Sequence, residues 1–340
     1  MHILILGGTA FAGRAMANEA VSRGHRVTLF NRGTKPSPKG TTTIIGDRLS
    51  ADSLELLADM TFDAVVDTWS AEAEPAMRAL ETLRGRIGHY TYISTLSVCD
   101  YASVETGDKL NDESIKLYDL EAPDAKKSAY QFNKLGFEVA AARILDDTPF
   151  LIARPGVILG PYEGPHIERG RLLWWLDRLH RGGPMLAPGP EDMGIQVVDV
   201  RDLARFVVDG AEKHTKGAYN IISDVGKVTM GDVLKTGCQV TGDKAELVWK
   251  PPKDITDTDI IPFMELPMWV DPNSDKYASL YRWDISKAKA AGLTCRPIAQ
   301  TIRDTWKWMQ GPDGPVPAPE GSDSKRGGLS WEKERKVLGL

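Results

Sequence analysis

The chain has 340 residues, 42% of them hydrophobic and 26% charged, and a formal net charge of −5. That length allows one large core or two smaller ones, and the acidic balance argues against a nucleic-acid partner held by bulk electrostatics. No run approaches the roughly 20 apolar residues that cross a bilayer, and a strand candidate opens at His2, which leaves no room for a cleaved leader, so a cytoplasmic protein without a membrane partner is expected.

The first strand is expected over His2–Leu6, an apolar run that meets Gly7 and Gly8. A helical pattern follows over Phe11–Arg23, then a second apolar run over Arg26–Phe30. Glycine permits a tight turn and lets a phosphate approach the backbone. The helix N-terminus offers free N–H groups and a partial positive charge to a pyrophosphate. Gly7-x-x-Ala10-x-x-Gly13, with Thr9 and Phe11 in the same turn, therefore predicts a dinucleotide-binding βαβ unit.

Folds that take the unphosphorylated dinucleotide place an acid at the end of the second strand, on the ribose 2′-hydroxyl. This chain has Asn31 and Arg32 there, with Lys35 close behind and Arg14 in the preceding helix. A guanidinium grips a 2′-phosphate that a carboxylate would repel, so NADP(H) is expected over NAD(H).

Further strands are expected over Thr42–Ile45, Ala64–Asp67, Tyr90–Ser94 and Phe150–Arg154. Their β-branched content without strict alternation suits burial on both faces. Alternation with helices predicts an α/β, doubly wound parallel sheet of the Rossmann type. Asp47, in "IIGDR", falls at the adenine edge, and Asp67 and Thr68 close the fourth strand on the same rim. The fifth strand ends "YISTLSVCD", which puts Thr95 and Ser97 at the carboxyl edge. Tyr130 and Lys134, four apart, share one face of a helix over Tyr130–Leu145.

After Pro155 the glycines and prolines break the chain into loops around a helix carrying Trp174 and Trp175. The runs Ile195–Val198 and Ala218–Ile222 are expected to rejoin the sheet. "GPDGPVPAPEGSDSKRGG" reads as a linker, and "LSWEKERKVLGL" as a short helix capped by Ser330. The expected organisation is a Rossmann domain over 1–160 plus about 195–228, a substrate lobe over 161–194 plus 229–310, and a linker and helix over 311–340. Trp174, Trp175, Trp249, Trp269, Met264 and Met268 predict an apolar, aromatic substrate pocket. Cys99, Cys238 and Cys295 are far apart and suit a reducing compartment; neither they nor the six histidines show ligand spacing, so no metal is expected.

Gly7-Gly8-Thr9 through Gly13, "STLSV", Tyr130-x-x-x-Lys134, "ARPGVILGP" and "QVVDVRDLA" occur in this order over about the first 230 residues. In these motifs the chain resembles the extended or atypical branch of the short-chain dehydrogenase/reductase superfamily, with NAD-dependent epimerase/dehydratase-type sequences nearest. The resemblance implies that Tyr130 is the general acid or base and that Thr95 bonds the substrate oxygen. It implies that Lys134 bonds the nicotinamide ribose and lowers the phenol pKa, and that Pro155 and Val157 lie beside the cofactor. It also implies a homodimer paired through the tyrosine helix. Bringing a tyrosine from about 10 to about 7 takes about 4 kcal/mol of differential stabilisation, which a nearby ammonium in a partly dry site can supply.

Two departures narrow the reaction. Relatives that bind nucleotide sugars commonly carry an asparagine in the segment matching "RPGVILGP", where this chain has Gly156, Val157 and Ile158. Sugar dehydratases usually place Asp-Glu after the threonine, where Leu96 and Ser97 stand here. The expected function is an NADP(H)-dependent reductase or dehydrogenase on the carbonyl or hydroxyl of a small, mostly apolar compound. Ser97, Trp174 and Trp175 are its candidate substrate contacts, and Arg154 either joins them or braces the loop. The alternatives are a nucleotide-sugar epimerase using the same three residues and a non-catalytic cofactor-sensing or RNA-binding protein.

Overall fold

A computed structural model describes residues 1–106, 109–122, 129–164, 166, 170–316 and 328–340. Residues 317–327, most of the expected linker, lie outside the described residues. Strands β1 (His2–Leu6), β2 (Arg26–Asn31), β3 (Thr41–Ile45), β4 (Ala64–Asp67), β5 (Tyr90–Ile93) and β6 (Phe150–Pro155) join Gly217–Ile221 in one seven-stranded sheet. Its order is Gly217–Ile221, β6, β5, β4, β1, β2, β3, and every pairing is parallel. The order reverses between β1 and β4, so the crevice for a ligand opens at their carboxyl ends.

The helices needed here are α1 (Phe11–Ser22), α2 (Ala51–Leu54), α3 (Ala73–Leu83), α4 (Tyr130–Ile144), α5 (Arg171–Arg181), α6 (Val200–Glu212) and α7 (Met230–Thr241). Successive strand residues point to opposite faces, and in β1 both faces are buried. Ile3 and Ile5 pack with Met16 and Ala20 of α1 and Leu203 and Val207 of α6. Leu4 and Leu6 pack with Leu80 and Leu83 of α3 and Phe137 and Ala141 of α4. That two-sided burial is why these strands read as apolar runs without alternation.

A third buried cluster, outside the sheet, contains Trp175 and Leu176 of α5, Val233 and Leu234 of α7, Met185 and Trp269. Ala218–Ile222 joins the sheet as expected, as the strand Gly217–Ile221 beside β6. Ile195–Val198 does not. Gly194–Ile195 pairs antiparallel with Val228–Thr229, and Val197–Asp199 pairs with β7 (Val157–Leu159). Gly156 stands between β6 and β7, and a Cβ there would lie 2.1 Å from the Ile222 side chain.

The C-terminal helix Trp331–Leu338 is capped by Ser330, which accepts from the Lys333 N–H at 3.2 Å. It packs on β8 (Gly183–Pro188) of the lobe. Glu334, buried, accepts from Arg178 Nε at 2.7 Å and from the Leu186 N–H at 3.0 Å. Arg178 also donates to the carbonyls of Gly182 and Pro184. Among the described residues no helix is long and apolar enough to cross a membrane. Removing one partner of a buried pair strands the other charge. Glu334→Ala should therefore cost about 3 kcal/mol of unfolding free energy in urea titrations, and the exposed Glu332→Ala should stay within about 0.5 kcal/mol of wild type.

Candidate active site

The turn between β1 and α1 is built on backbone. Gly7 and Gly8 have φ of +115° and +90°, a region that L side chains rarely adopt. A Cβ on Gly8 would stand 2.5 Å from the Leu29 side chain, and one on Gly13 would stand 2.9 Å from the Gly8 nitrogen. The N-cap of α1 is Ala10, which supplies no side-chain acceptor to the first-turn N–H groups. Those donors and the helix dipole remain available to an anion, and the cradle fits a pyrophosphate.

A cleft of about 320 Å³ opens over this turn. Gly7, Thr9, Ala10, Asn31, Arg32, Asp47 and Thr68 line it, as do Lys35, Arg48, Trp69 and Ser70. Phe11 and Gly13 shape the turn from inside α1. Asn31 is tied back to the turn, donating to the Gly7 carbonyl at 3.3 Å and accepting from the Gly33 N–H at 2.9 Å. Arg32 is exposed and has no hydrogen bond or ion pair among the described residues. Arg14 donates to the Pro36 carbonyl and stacks on Tyr162 at 4.6 Å. Asp47 accepts from the Leu49 N–H at 3.0 Å.

Beneath the cleft, Asp67 is fully buried and bonded on every side. Arg48 grips both its oxygens at 2.8 Å, the Tyr90 hydroxyl donates at 2.8 Å, and the Trp69 N–H donates at 2.8 Å. Burial alone would raise its pKa, but Arg48 and these donors outweigh it and hold the carboxyl below the usual range. Arg48 also stacks on the Trp69 ring at 4.8 Å. Sequence reasoning missed this pair; its only trace was Arg48 following Asp47.

Tyr130 opens α4 and Lys134 lies one turn on. Lys134, 3% exposed, donates to the Ile93 carbonyl at 2.6 Å and to the Trp69 carbonyl. Its amine stands 4.7 Å from the Tyr92 ring centre and 5.9 Å from that of Tyr130. Burial pulls its pKa down to about 7, against the charges of Asp67 and Glu138. Thr95, just past the end of β5, lies close enough to the Tyr130 phenol to favour its ionised form. Its hydroxyl donates to Ser97 Oγ at 3.2 Å and accepts from the Ser97 N–H at 3.1 Å. The structure thus brings Thr95, Ser97, Tyr130 and Lys134 together at the carboxyl edge. Tyr130 keeps 47% of its surface exposed, yet desolvation raises its phenol pKa, with Thr95 and the Arg171 charge opposing. The expected lowering by Lys134 is not met by the protein's own groups, because that amine is spent on two carbonyls and half neutral near pH 7.

Other candidates fall elsewhere. Arg154 is buried and bound to Glu138 of α4 through Nε at 3.1 Å and Nη2 at 2.6 Å. It braces α4 on β6, and its guanidinium is committed away from any substrate. Trp174 and Trp175 stack edge-to-face in the lobe core, and Trp175 Nε1 donates to the Pro267 carbonyl. Trp269 and Met268 are buried there too. Pro155 and Val157 are buried at the carboxyl end of β6 and do not line the 320 Å³ cleft.

The Lys134 pKa makes a stability prediction. An unfolded lysine titrates near about 10.4, so between about pH 7 and about pH 10 the unfolded chain holds a proton that the folded chain has lost, and this contribution to stability rises with pH. Urea melts of wild type and Lys134→Met should show their stability difference, wild type minus variant, climbing over that window and flat below about pH 6.

The model of the NAD dependent epimerase/dehydratase family matches residues 3–222. The chain is 28% identical over 272 residues to the chloroplast stem-loop binding protein of 41 kDa b of Arabidopsis thaliana, a match covering 74% of this chain and 66%, just under two thirds, of that protein. It is 26% identical over 257 residues to the epimerase family protein SDR39U1 of Bos taurus, covering 69% of this chain and 79% of that one. Among solved structures, the UDP-glucose 4-epimerase of Thermotoga maritima with UDP-glucose has a TM-score of 0.67 at 16% identity, covering 91% and 98% of the two chains. The Thermus thermophilus UDP-glucose 4-epimerase in complex with NAD has a TM-score of 0.65 at 20% identity, covering 92% and 100%. These likenesses establish the shared fold, and the family match, which spans the glycine turn, Thr95, Tyr130 and Lys134, establishes that the chain belongs to the NAD-dependent epimerase/dehydratase family.

Proposed function

We propose that the chain is an NADP(H)-dependent reductase or dehydrogenase working on the carbonyl/hydroxyl pair of a small molecule, with Tyr130 giving and taking the proton. The observation that carries this reading is the gathering of Tyr130 and Thr95 beside buried Lys134, whose amine stands 5.9 Å from the Tyr130 ring centre, on the sheet edge that also holds the glycine turn. The turn and the α1 N-terminus hold the pyrophosphate. Arg32, without a partner of its own, takes the 2′-phosphate. Lys134 gives two of its three N–H groups to carbonyls, which leaves one for the ribose. The bound nicotinamide supplies or accepts hydride. Thr95 and Tyr130 bond the substrate oxygen, and Tyr130 transfers the proton to or from it. The reading no longer extends to an apolar substrate, because the tryptophans that suggested one are mostly core.

A nucleotide-sugar epimerase would use the same three residues, but Gly156, Val157 and Ile158 offer no side-chain amide to a diphosphate. Stabilisation against heat by UDP-glucose would favour that alternative. The stem-loop binding relative raises RNA as a ligand, which the net charge of −5 opposes.

Losing the Arg32 contact removes about 1.5 to 3 kcal/mol of charge-assisted bonding, so Arg32→Ala should weaken NADPH binding by about 10- to 100-fold and leave NADH within about twofold in fluorescence titrations. Tyr130→Phe should cut turnover at least about 100-fold across a carbonyl panel while NADPH binding holds. Retained turnover would refute the role of the phenol.

A further inference from the structure

The loop that meets the cofactor's phosphate has a weakly held middle. Between β2 and β3 the chain runs from Arg32 to Gly40, and Arg32, Thr34 and Lys35 line the cofactor cleft. The far end of the loop is pinned near β3. Ser37 Oγ and Thr43 Oγ1 are 2.8 Å apart, and Thr41 Oγ1 donates to the Pro38 carbonyl at 2.7 Å. From Thr34 to Pro36, the one hydrogen bond among the described residues comes from Arg14 of α1, whose Nη1 donates to the Pro36 carbonyl at 3.2 Å.

Arg14 is placed to brace this loop rather than to touch the cofactor. It does not line the cofactor cleft. It lines a separate cavity of about 380 Å³ between α1 and α6, together with Phe11, Pro161 and Tyr162. Among the described residues it has no carboxylate partner, and its Nε–H is buried without an acceptor. The cavity leaves the side chain room to swing, so its direction depends on what it leans against. That support is the Tyr162 ring, whose centre lies 4.6 Å from the guanidinium carbon, within cation–π range.

Tyr162 is itself held firmly. Its φ is +68°, which a residue with a side chain rarely adopts. Its ring packs on that of Trp308 with centres 4.8 Å apart. Trp308 belongs to the helix Ile298–Met309, whose Ile302 lies in the lobe core. A strained backbone of this kind persists only where its surroundings fix it, and here the guanidinium and the indole do so.

We propose that Arg14 and Tyr162 are positioning residues for cofactor choice. Tyr162, anchored on the lobe, holds Arg14 against Pro36. Arg14 in turn holds the loop so that Arg32 and Lys35 meet the 2′-phosphate. Neither positioning residue touches that phosphate. The proposal rests on the NADP(H) reading above, and it ties the loop that tells the two dinucleotides apart to the lobe as well as to the sheet.

The test compares Arg14→Met, Tyr162→Asn, their double variant and Tyr162→Phe. Asn adopts a positive φ more readily than Tyr, so Tyr162→Asn removes the ring without burdening the fold, and Tyr162→Phe keeps the ring. The first measurement is ¹⁵N relaxation of the Thr34 and Lys35 amides without cofactor. Their order parameters should drop from about 0.85 in wild type to below about 0.6 in Arg14→Met and Tyr162→Asn, and hold in Tyr162→Phe. The second is fluorescence titration with NADPH and with NADH. Arg14→Met and Tyr162→Asn should each weaken NADPH about tenfold and leave NADH within about twofold. The double variant should lose no more than either single one, and Tyr162→Phe should bind as wild type does. General damage to the fold would weaken both dinucleotides alike, and an equal loss for NADH overturns the proposal. So does a loop unmoved in Tyr162→Asn, wild-type NADPH affinity in that variant, or losses that multiply in the double. A wild type that binds NADPH no tighter than NADH, with a loop that loosens in both single variants, sinks the NADP(H) reading while the brace itself stands.

Discussion

One buried carboxylate holds the site together. Asp67, at the end of β4, binds Arg48 from beyond β3, the Tyr90 hydroxyl from β5 and the N–H of Trp69 in its own turn. A lone carboxylate with no exposure would protonate rather than stay charged. Four donors keep it ionised, and they come from three separate segments. The turn it fixes then presents the Trp69 carbonyl to Lys134 and to the Tyr92 hydroxyl. The cofactor cleft, where Arg48 and Trp69 stand, and the tyrosine helix are thereby referred to the same point.

That arrangement sets the chemistry available. Lys134 sits where burial discourages its charge and the carboxylates of Asp67 and Glu138 favour it, and the balance brings its pKa down to about 7. Tyr130 has the opposite problem: desolvation favours its neutral form, which is the proton-carrying one. A neutral phenol beside an amine poised near neutrality suits delivery of a proton to a substrate oxygen. Arg154 and Glu138 do nothing for this directly. Their buried pair locks α4 on β6, which keeps Tyr130 and Lys134 over the carboxyl edge.

The fold was largely legible in the sequence because its strands are buried on both faces and bounded by glycine or polar residues. The six strands of the first half stand within about a residue of their apolar runs, and α1 and α4 fill the helical patterns. The glycine turn and the Tyr130–Lys134 spacing were legible for the same reason: each depends on residues close in sequence. What was not legible depends on distant partners. Arg154 finds Glu138 16 residues away, Arg48 finds Asp67 19 away, and Arg178 finds Glu334 156 away. An arginine reads alike whether it will meet substrate or a buried carboxylate. The lobe tryptophans misled similarly, because an aromatic pocket and an aromatic core have the same composition. Ile195–Val198 misled because an apolar run shows that a strand is buried without showing which strand it pairs with.

The central claim is spatial: one cofactor links the glycine turn to Tyr130 and Lys134. A crystal structure of the chain with NADP⁺ tests it most directly. The account predicts the pyrophosphate on the Gly7–Gly13 turn, the 2′-phosphate against Arg32, and the nicotinamide facing the Tyr130 phenol with its ribose on Lys134. A nicotinamide directed away from Tyr130, or a pyrophosphate held elsewhere than on the turn, would contradict it.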